Sequence, residues 1–274
     1  MTPSIHLFVL ASGSKGNAAI AQGPEGSILI DDGISYKALR TRAREVAAPL
    51  DDICAVLLTH EHGDHTSGLS VFCNHFDGPL FATAGTVAGR SYLQEMPFEL
   101  IQDNDSLDLA GMHIRAFPTS HDVNDPVGFR FDVIDGEGEI QDSLGWCTDT
   151  GYVTDEALDA LYGCRILGLE SNHDEKMLET GPYPRYLKDR VKGEGGLLSS
   201  AQAAAVLPQL VTKDTECFVA LVLSEENNRQ SVCIRSLAEA LGAEPTNTTF
   251  TEARTPDGLL TVFPASQHEA VSVW

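Results

Sequence analysis

Directly after the apolar run Ile53–Leu58 the chain reads Thr59-His60-Glu61-His62-Gly63-Asp64-His65. A short continuous apolar run is the pattern of a strand buried on both faces. The run therefore delivers three imidazoles and a carboxylate to the end of a covered strand. In extended backbone, side chains two apart point the same way, so His60 and His62 can grip one ion. Where the chain turns into a helix, Asp64 and His65 are carried to the other side, toward a second ion about 3.5–4 Å away. Two later segments supply what this loop lacks. Phe117-Pro118-Thr119-Ser120-His121-Asp122 puts an imidazole at a strand end, and Cys147-Thr148-Asp149-Thr150-Gly151 puts a carboxylate at another. His121 can complete three imidazoles around the first ion, and Asp149 can bridge both.

The rest of the chain alternates short β-rich runs with helical periodicity. Ile5–Ala11 and Ser27–Asp31 read as strands, joined through the turn-prone Ser12-Gly13-Ser14-Lys15-Gly16-Asn17. Ser35 to Ala47 has helical periodicity with Ser35 as N-cap, and a helix is expected from His65 to Asn74. A strand at Leu80–Thr83 and a helix after Ala84 follow. The middle is strand-rich, with Asp105–Leu109, Met112–Pro118, Val127–Ile134 and Ser143–Thr148. The last third alternates again. It has strands at Arg165–Leu169 and Glu216–Leu223, and helices at Glu175–Glu179, Tyr186–Val191, Ser199–Leu210 and Arg229–Leu241. Two strand-rich halves bordered by helices imply an α/β layered fold, sheets face to face with helices outside. No repeat, linker or charge block divides the chain, so residues 1–274 read as one domain.

Charge narrows the partners. With 40 Asp+Glu against 18 Lys+Arg the net charge is −22, which repels polyanions at long range. A general nucleic-acid coat protein is excluded on that ground; an enzyme with a local cationic groove is not. Lys37, Arg40, Arg42 and Arg44 form one basic window, and Arg185, Lys188, Arg190 and Lys192 another. These windows read either as a polyanion track, with Tyr183 and Tyr186 for stacking, or as solvated helix faces paired with local acids. No stretch approaches the roughly 20 apolar residues of a membrane span. The run Ile5–Ala11 follows Met-Thr-Pro-Ser without a basic region, as a first strand and not a signal peptide would. The 6 cysteines are scattered with no C-x-x-C, so buried free thiols in a reducing cytoplasm are expected.

The order Ile30-Asp31-Asp32-Gly33, then H-x-H-x-D-H, then a lone His, then Thr-Asp-Thr-Gly resembles the metallo-β-lactamase superfamily. Three stretches resemble its YycJ/WalJ branch: Ser12 to Asn17, Leu169-Glu170-Ser171-Asn172-His173-Asp174, and Gly181-Pro182-Tyr183-Pro184-Arg185-Tyr186-Leu187-Lys188-Asp189-Arg190-Val191. With Leu223-Ser224-Glu225-Glu226-Asn227-Asn228 the likeness covers most of the chain. The resemblance implies a four-layer αββα sandwich with a metal site at one edge of the stacked sheets. It implies a bacterial cytoplasmic phosphodiesterase, with 5′-to-3′ DNA exonuclease as the activity attached to that branch, and a role in DNA repair or cell-wall homeostasis. One or two divalent ions are expected, and imidazole with carboxylate suits Zn, Mn and Fe alike.

Two positions depart from the family pattern, which places a His before Leu-Ser in two later segments. This chain has Leu197 and Val222 there. The second position normally supplies the last ligand of the second ion, and the first a His close to the scissile phosphate. The set His60, His62, His121 is then complete, while Asp64, His65, Asp149 is one ligand short. Water or His173 can fill the gap; alternatively one ion serves a less demanding hydrolysis, or metal and ligand bind without turnover. His173, at a strand-to-helix junction, reads equally as a polar site residue or a cap neighbour.

The chemistry expected is hydrolysis by hydroxide, since a bound ion lowers the pKa of its water toward ~7. Asp64 orients that hydroxide, and Asp31 hydrogen-bonds a ligating His. Ser14, Lys15 and Asn17 read as an anion-holding loop or an ordinary tight turn, and Arg185 and Lys188 as contacts to a phosphodiester substrate such as DNA. A small-molecule hydrolase of a cyclic phosphodiester or thioester, and a metal-binding protein without activity, are the competing readings. The sequence leaves the oligomeric state open.

Overall fold

A computed structural model describes residues 4–274. Strand β1 (His6–Ala11) shows how its layers arise. Leu7 and Val9 join a core that draws on both sheets, whereas Phe8 and Leu10 join a second core beneath helices. All four are buried, because a strand covered on both faces alternates between two apolar layers. The same alternation repeats in the strand before the histidine loop, where Ala55 and Leu57 face the inter-sheet core and Val56 and Leu58 the helices.

The strands that follow β1 are β2 (Ala18–Gly23), β3 (Gly26–Ile30), β4 (Ile53–Leu57), β5 (Leu80–Thr83) and β6 (Phe98–Ile101). Next come β7 (Ser106–Leu109), β8 (Met112–Pro118), β9 (Val127–Ile134), β10 (Ile140–Cys147), β11 (Ile166–Glu170) and β12 (Cys217–Leu221). The last are β13 (Glu244–Pro245), β14 (Ala253–Arg254), β15 (Thr261–Pro264) and β16 (Val271–Val273). One sheet has the order β16-β1-β2-β3-β4-β5-β6, the other β13-β14-β15-β12-β11-β10-β9-β8-β7. Ile114, Phe129, Trp146 and Val219 of the second sheet meet Leu7, Ile28 and Leu57 of the first. Outside the first sheet lies the helix Tyr36–Glu45, inserting Leu39 and Ala43. Outside the second lie Asp155–Leu161, Ser200–Leu210 and Gln230–Leu241, inserting Leu161, Leu207 and Leu237. The result is the expected αββα layering. Truncating a wholly buried residue such as Leu57 to Ala is worth about 2–5 kcal/mol of stability.

Several elements differ from the sequence reading. The helix expected over His65–Asn74 is broken into Gly63–Thr66, Leu69–Phe72 and a single 3₁₀ turn. The break falls at Gly68, whose backbone passes so close to the preceding segment that a Cβ would lie 1.9 Å from the Ile34 carbonyl. Strand β2 was hidden because its alanine-rich run lacks the β-branched signal. Strands β6 and β13 to β16 are short, and β16 draws its stability from pairing with β1 (Leu7 opposite Val273). The helix Asp155–Leu161 is also absent from the sequence reading, although Thr154 caps it by accepting from the Ala157 amide. All six cysteines are free, four of them buried. Among the described residues no helix is long and apolar enough to cross a membrane.

Candidate metal centre

Strand ends from both sheets converge at one edge. The parallel strands β3 and β4 lead into Asp31 and the histidine loop. From the other sheet, β8 leads to His121, and the parallel strands β10, β11 and β12 lead to Asp149, Glu170 and Val222. His60 Nε2 lies 3.1 Å from His62 Nδ1, which lies 3.3 Å from His121 Nε2. Two overlapping groups have donor atoms within 4.8 Å of one another: His60, His62, His121 and His60, His65, Asp149. Asp64 stands slightly apart, its Oδ2 3.9 Å from His65 Nε2.

Hydrogen bonds fix which nitrogen of each ring faces this point. Asp31 Oδ1 accepts from the Thr59 amide, and Oδ2 from the Thr59 hydroxyl and His65 Nδ1–H, each at 2.8 Å. With its proton given to Asp31, the Thr59 oxygen accepts His60 Nδ1–H at 3.0 Å. One buried carboxylate thereby orients two imidazoles and turns the Nε2 of each toward the other donors of the cluster. His121 Nδ1–H donates to the Gly196 carbonyl at 3.0 Å, which leaves its Nε2 lone pair facing His62. On the other side, Asn17 Nδ2 lies 3.0 Å from His65 Nε2. The backbone is bent to fit: Asp31 and Asp149 both have positive φ, 57° and 46°. Positive φ in non-glycine residues costs of order 1–3 kcal/mol and clusters at functional sites. Gly33 permits the closest approach, since a Cβ there would sit 1.6 Å from the Asp64 carbonyl.

Burial, then the neighbouring imidazole charges, holds His60 and His62 neutral, pushing His62 down to about 4. His65 is wholly buried, which disfavours its charge, yet Asp31 and Asp149 on either side carry it well above the ordinary imidazole range. Burial by itself would raise Asp149, but the contact with His65 pulls it far down. Burial raises Asp64 above the ordinary carboxyl value. Asp149 Oδ2 is buried without a hydrogen bond, 3.2 Å from His65 Nε2. A free carboxylate oxygen beside converging imidazole lone pairs is a donor set that a divalent cation satisfies. The residues fit such an ion.

A cleft of about 190 Å³ opens over the cluster, lined by His62, Asp64, His121 and Asp149 on one side. Val222 and Leu197 line it where the family pattern has imidazoles. Val222 keeps a left-handed φ of 55°, a conformation strained for a β-branched residue. Beside these, the helix Arg185–Lys192 presents Leu187, Arg190 and Val191, and Tyr183 precedes it.

The loop Ser12 to Asn17 and the basic windows divide. Ser14 lines the cleft, whereas Asn17 is buried and holds the turn, its Oδ1 accepting from the Gly13 amide at 2.9 Å. Lys15 does not line the cleft and instead pairs with Glu225 at 2.5 Å. Arg185 pairs with Asp189 at 2.9 Å, and Lys188 donates to the Glu179 carbonyl at 2.6 Å. Arg190 lines the cleft, while Arg185 and Lys188 do not. His173 is buried too, but its ring sits near Glu175, Asp174 and Lys192 and lines no part of the cleft. The structure thus brings His60, His62, Asp64, His65, His121, Asp149, Asp31 and Ser14 together and leaves His173, Lys15, Arg185 and Lys188 outside.

Sequence reasoning missed Leu187, Val191 and Asn172 as lining residues. The four-residue spacing of Tyr183, Leu187 and Val191 was the available signal. Glu170 has a definite place: its Oε2 accepts from the Thr150 and Leu198 amides at 2.7 and 3.0 Å, tying together the loops beside Asp149 and Gly196.

Comparison with known proteins agrees with this geometry. The sequence profile of a family described as "Beta-lactamase superfamily domain" matches residues 27–215. The "Exodeoxyribonuclease YycJ" of Bacillus anthracis is 30% identical over 241 residues, covering 86% of this chain and 89% of that protein. The "Exodeoxyribonuclease WalJ" of Streptococcus pneumoniae is 28% identical over 239 residues, covering 85% of this chain and 87% of that one. In three dimensions the metallo-beta-lactamase fold protein YhfI from Bacillus subtilis superposes with a TM-score of 0.67. It is 13% identical, over 98% of this chain and 100% of that one. The chain belongs to the metallo-β-lactamase superfamily, on its YycJ/WalJ-like branch, and is a metal-dependent hydrolase.

Proposed function

We propose that this chain hydrolyses phosphodiester bonds at DNA ends, in the 5′-to-3′ direction, in the cytoplasm and as one domain. The observation that carries this reading is the pair of donor groups that share His60, one with His62 and His121 and the other with His65 and Asp149, each with its donor atoms within 4.8 Å of one another. The similarity to two proteins named exodeoxyribonucleases supports the substrate class.

His60, His62 and His121 would hold one divalent ion, Zn, Mn or Fe. The set His65, Asp149, Asp64 lacks a further donor at Val222 and holds a second ion weakly. When bound, the ion supplies an acidified water and positive charge opposite the phosphate. Asp149 keeps its carboxylate ionised and would offer its free oxygen as one of the ion's donors. Asp64, raised by burial, takes and returns a proton at its carboxylate. Ser14, at the far rim, donates its hydroxyl to a phosphate oxygen. His173 and Lys15 take no part.

The test is to purify the protein without added metal, determine bound metal, and follow 5′-labelled and 3′-labelled duplexes with and without chelator. Metal-dependent release of nucleotides from 5′ ends is expected; intact DNA under every metal tried would overturn the reading. A second reading rests on the narrow cleft, which suits a small phosphodiester. Turnover of bis(p-nitrophenyl) phosphate with DNA left intact would select it.

A further inference from the structure

Opposite the imidazoles the cleft is apolar. Tyr183, Leu187 and Val191 recur at four-residue spacing, on one face of the helix Arg185–Lys192 and of the turn before it. Leu197 and Val222 close the wall nearest the cluster. Val222 is fixed in place from both sides, its amide donating to Ser12 Oγ at 2.8 Å and its carbonyl accepting from Asn172 Nδ2 at 2.7 Å. Among the described residues Arg190 is the one Lys or Arg lining this cleft. It is engaged by Asp122 at 2.5 and 2.9 Å. The wall therefore has no free charge for a second phosphate, and its half-buried tyrosine ring offers a flat apolar face.

A phosphate bound at the proposed metal centre carries a sugar and a base with it, and that base must lie somewhere within reach. The wall presents one aromatic ring with apolar side chains around it, which offers a stacking partner to one base. We propose, resting on the phosphodiester reading above, that this wall is a pocket for a single unpaired nucleobase. The terminal base leaves its partner, stacks on Tyr183 and packs against Leu187, Val191, Leu197 and Val222, while its phosphate sits at the proposed metal centre. The substrate class is thus a nucleic-acid end whose last nucleotide is unpaired or frays readily. Stacking of a base on an aromatic ring changes affinity by roughly ten- to a hundred-fold.

The experiment compares metal-loaded protein on duplexes that differ only at the 5′-terminal nucleotide: a G·C pair, a mismatch, and an abasic residue. The mismatched end is expected to have a kcat/KM about ten-fold above the paired end, and the abasic end to lose the advantage through KM. Tyr183→Ala is expected to abolish the difference, and Tyr183→Phe to keep it. In parallel, a phosphorothioate-protected strand with terminal 2-aminopurine reports base capture without turnover, as Tyr183-dependent quenching. Equal rates on all three ends, or unquenched 2-aminopurine, would overturn the pocket and leave the hydrolytic reading standing. Tyr183-dependent quenching with no hydrolysis of any end would do the reverse.

Discussion

The two halves of the centre share His60 but are built on different terms. In the first, His60, His62 and His121 come from two loops and face one another, with the outer nitrogens of His60 and His121 engaged by Thr59 and Gly196. In the second, His65 is gripped between two carboxylates, its inner nitrogen lies 3.0 Å from the Asn17 amide, and Val222 stands where a donor would complete the set. The H-x-H-x-D-H motif serves both halves equally. What separates them is contributed by distant strands, β8 for one and β12 for the other. The motif points to metal; the far strands make the two halves different.

The largest effect that can break this comparison is removal of His121. His121→Ala is expected to lower bound metal below one ion per chain and to cut hydrolysis by roughly a thousand-fold or more. Elemental analysis of the folded variant checks it, and a variant that keeps its ion would mean that the first half is wrongly drawn. Asp31→Asn comes next, because one carboxylate orients imidazoles in both halves. A ten- to hundred-fold loss of metal affinity, on the order seen for such supporting groups, is expected with little change in thermal midpoint. Gly33→Ala strikes the shared support beneath Asp64 and should cost about 1–3 kcal/mol in a denaturant titration.

Val222→His sharpens the comparison directly. It supplies the missing donor and is expected to raise metal content from about one ion toward two, with a smaller change in rate. The smallest effect concerns acid. His62 is held near 4 by burial, as are His6 and His173, against about 6.5 unfolded. Between those values the unfolded chain binds more protons at these three positions, so their contribution to stability is full above about pH 6.5 and falls as the pH drops toward 4. His65, raised by its two carboxylates, acts in the opposite direction at higher pH. Metal-free protein should show this in its urea midpoint. Loaded protein should release its ion as the imidazole ligands are protonated at acid pH, which metal analysis across a pH series reads.

Much of this was legible in one sequence because the signals were local. The apolar run before Thr59 and the spacing of the motif fixed a buried strand and an ion-gripping loop without tertiary information. The layering followed from alternation, and strands such as Met112–Pro118 and Val127–Ile134 coincide with their expected bounds. The failures were where neighbours decide. Gly68 breaks a helix because another segment crosses it, and β16 exists only because β1 receives it. Arg185, Lys188 and Arg190 are indistinguishable as charges; only the three-dimensional structure separates the one that lines the cleft from the two that do not.

The pairing of Arg190 with Asp122 has a consequence for how this chain meets a polyanion. Proteins that neutralise phosphates with free lysines and arginines release condensed counterions, and their affinity falls steeply with salt. Here the cleft's one guanidinium is already matched on a surface of net charge −22. Affinity for a DNA end should therefore depend only weakly on salt and strongly on free divalent ion, so that the chain engages its substrate by coordination and stacking, not by counterion release.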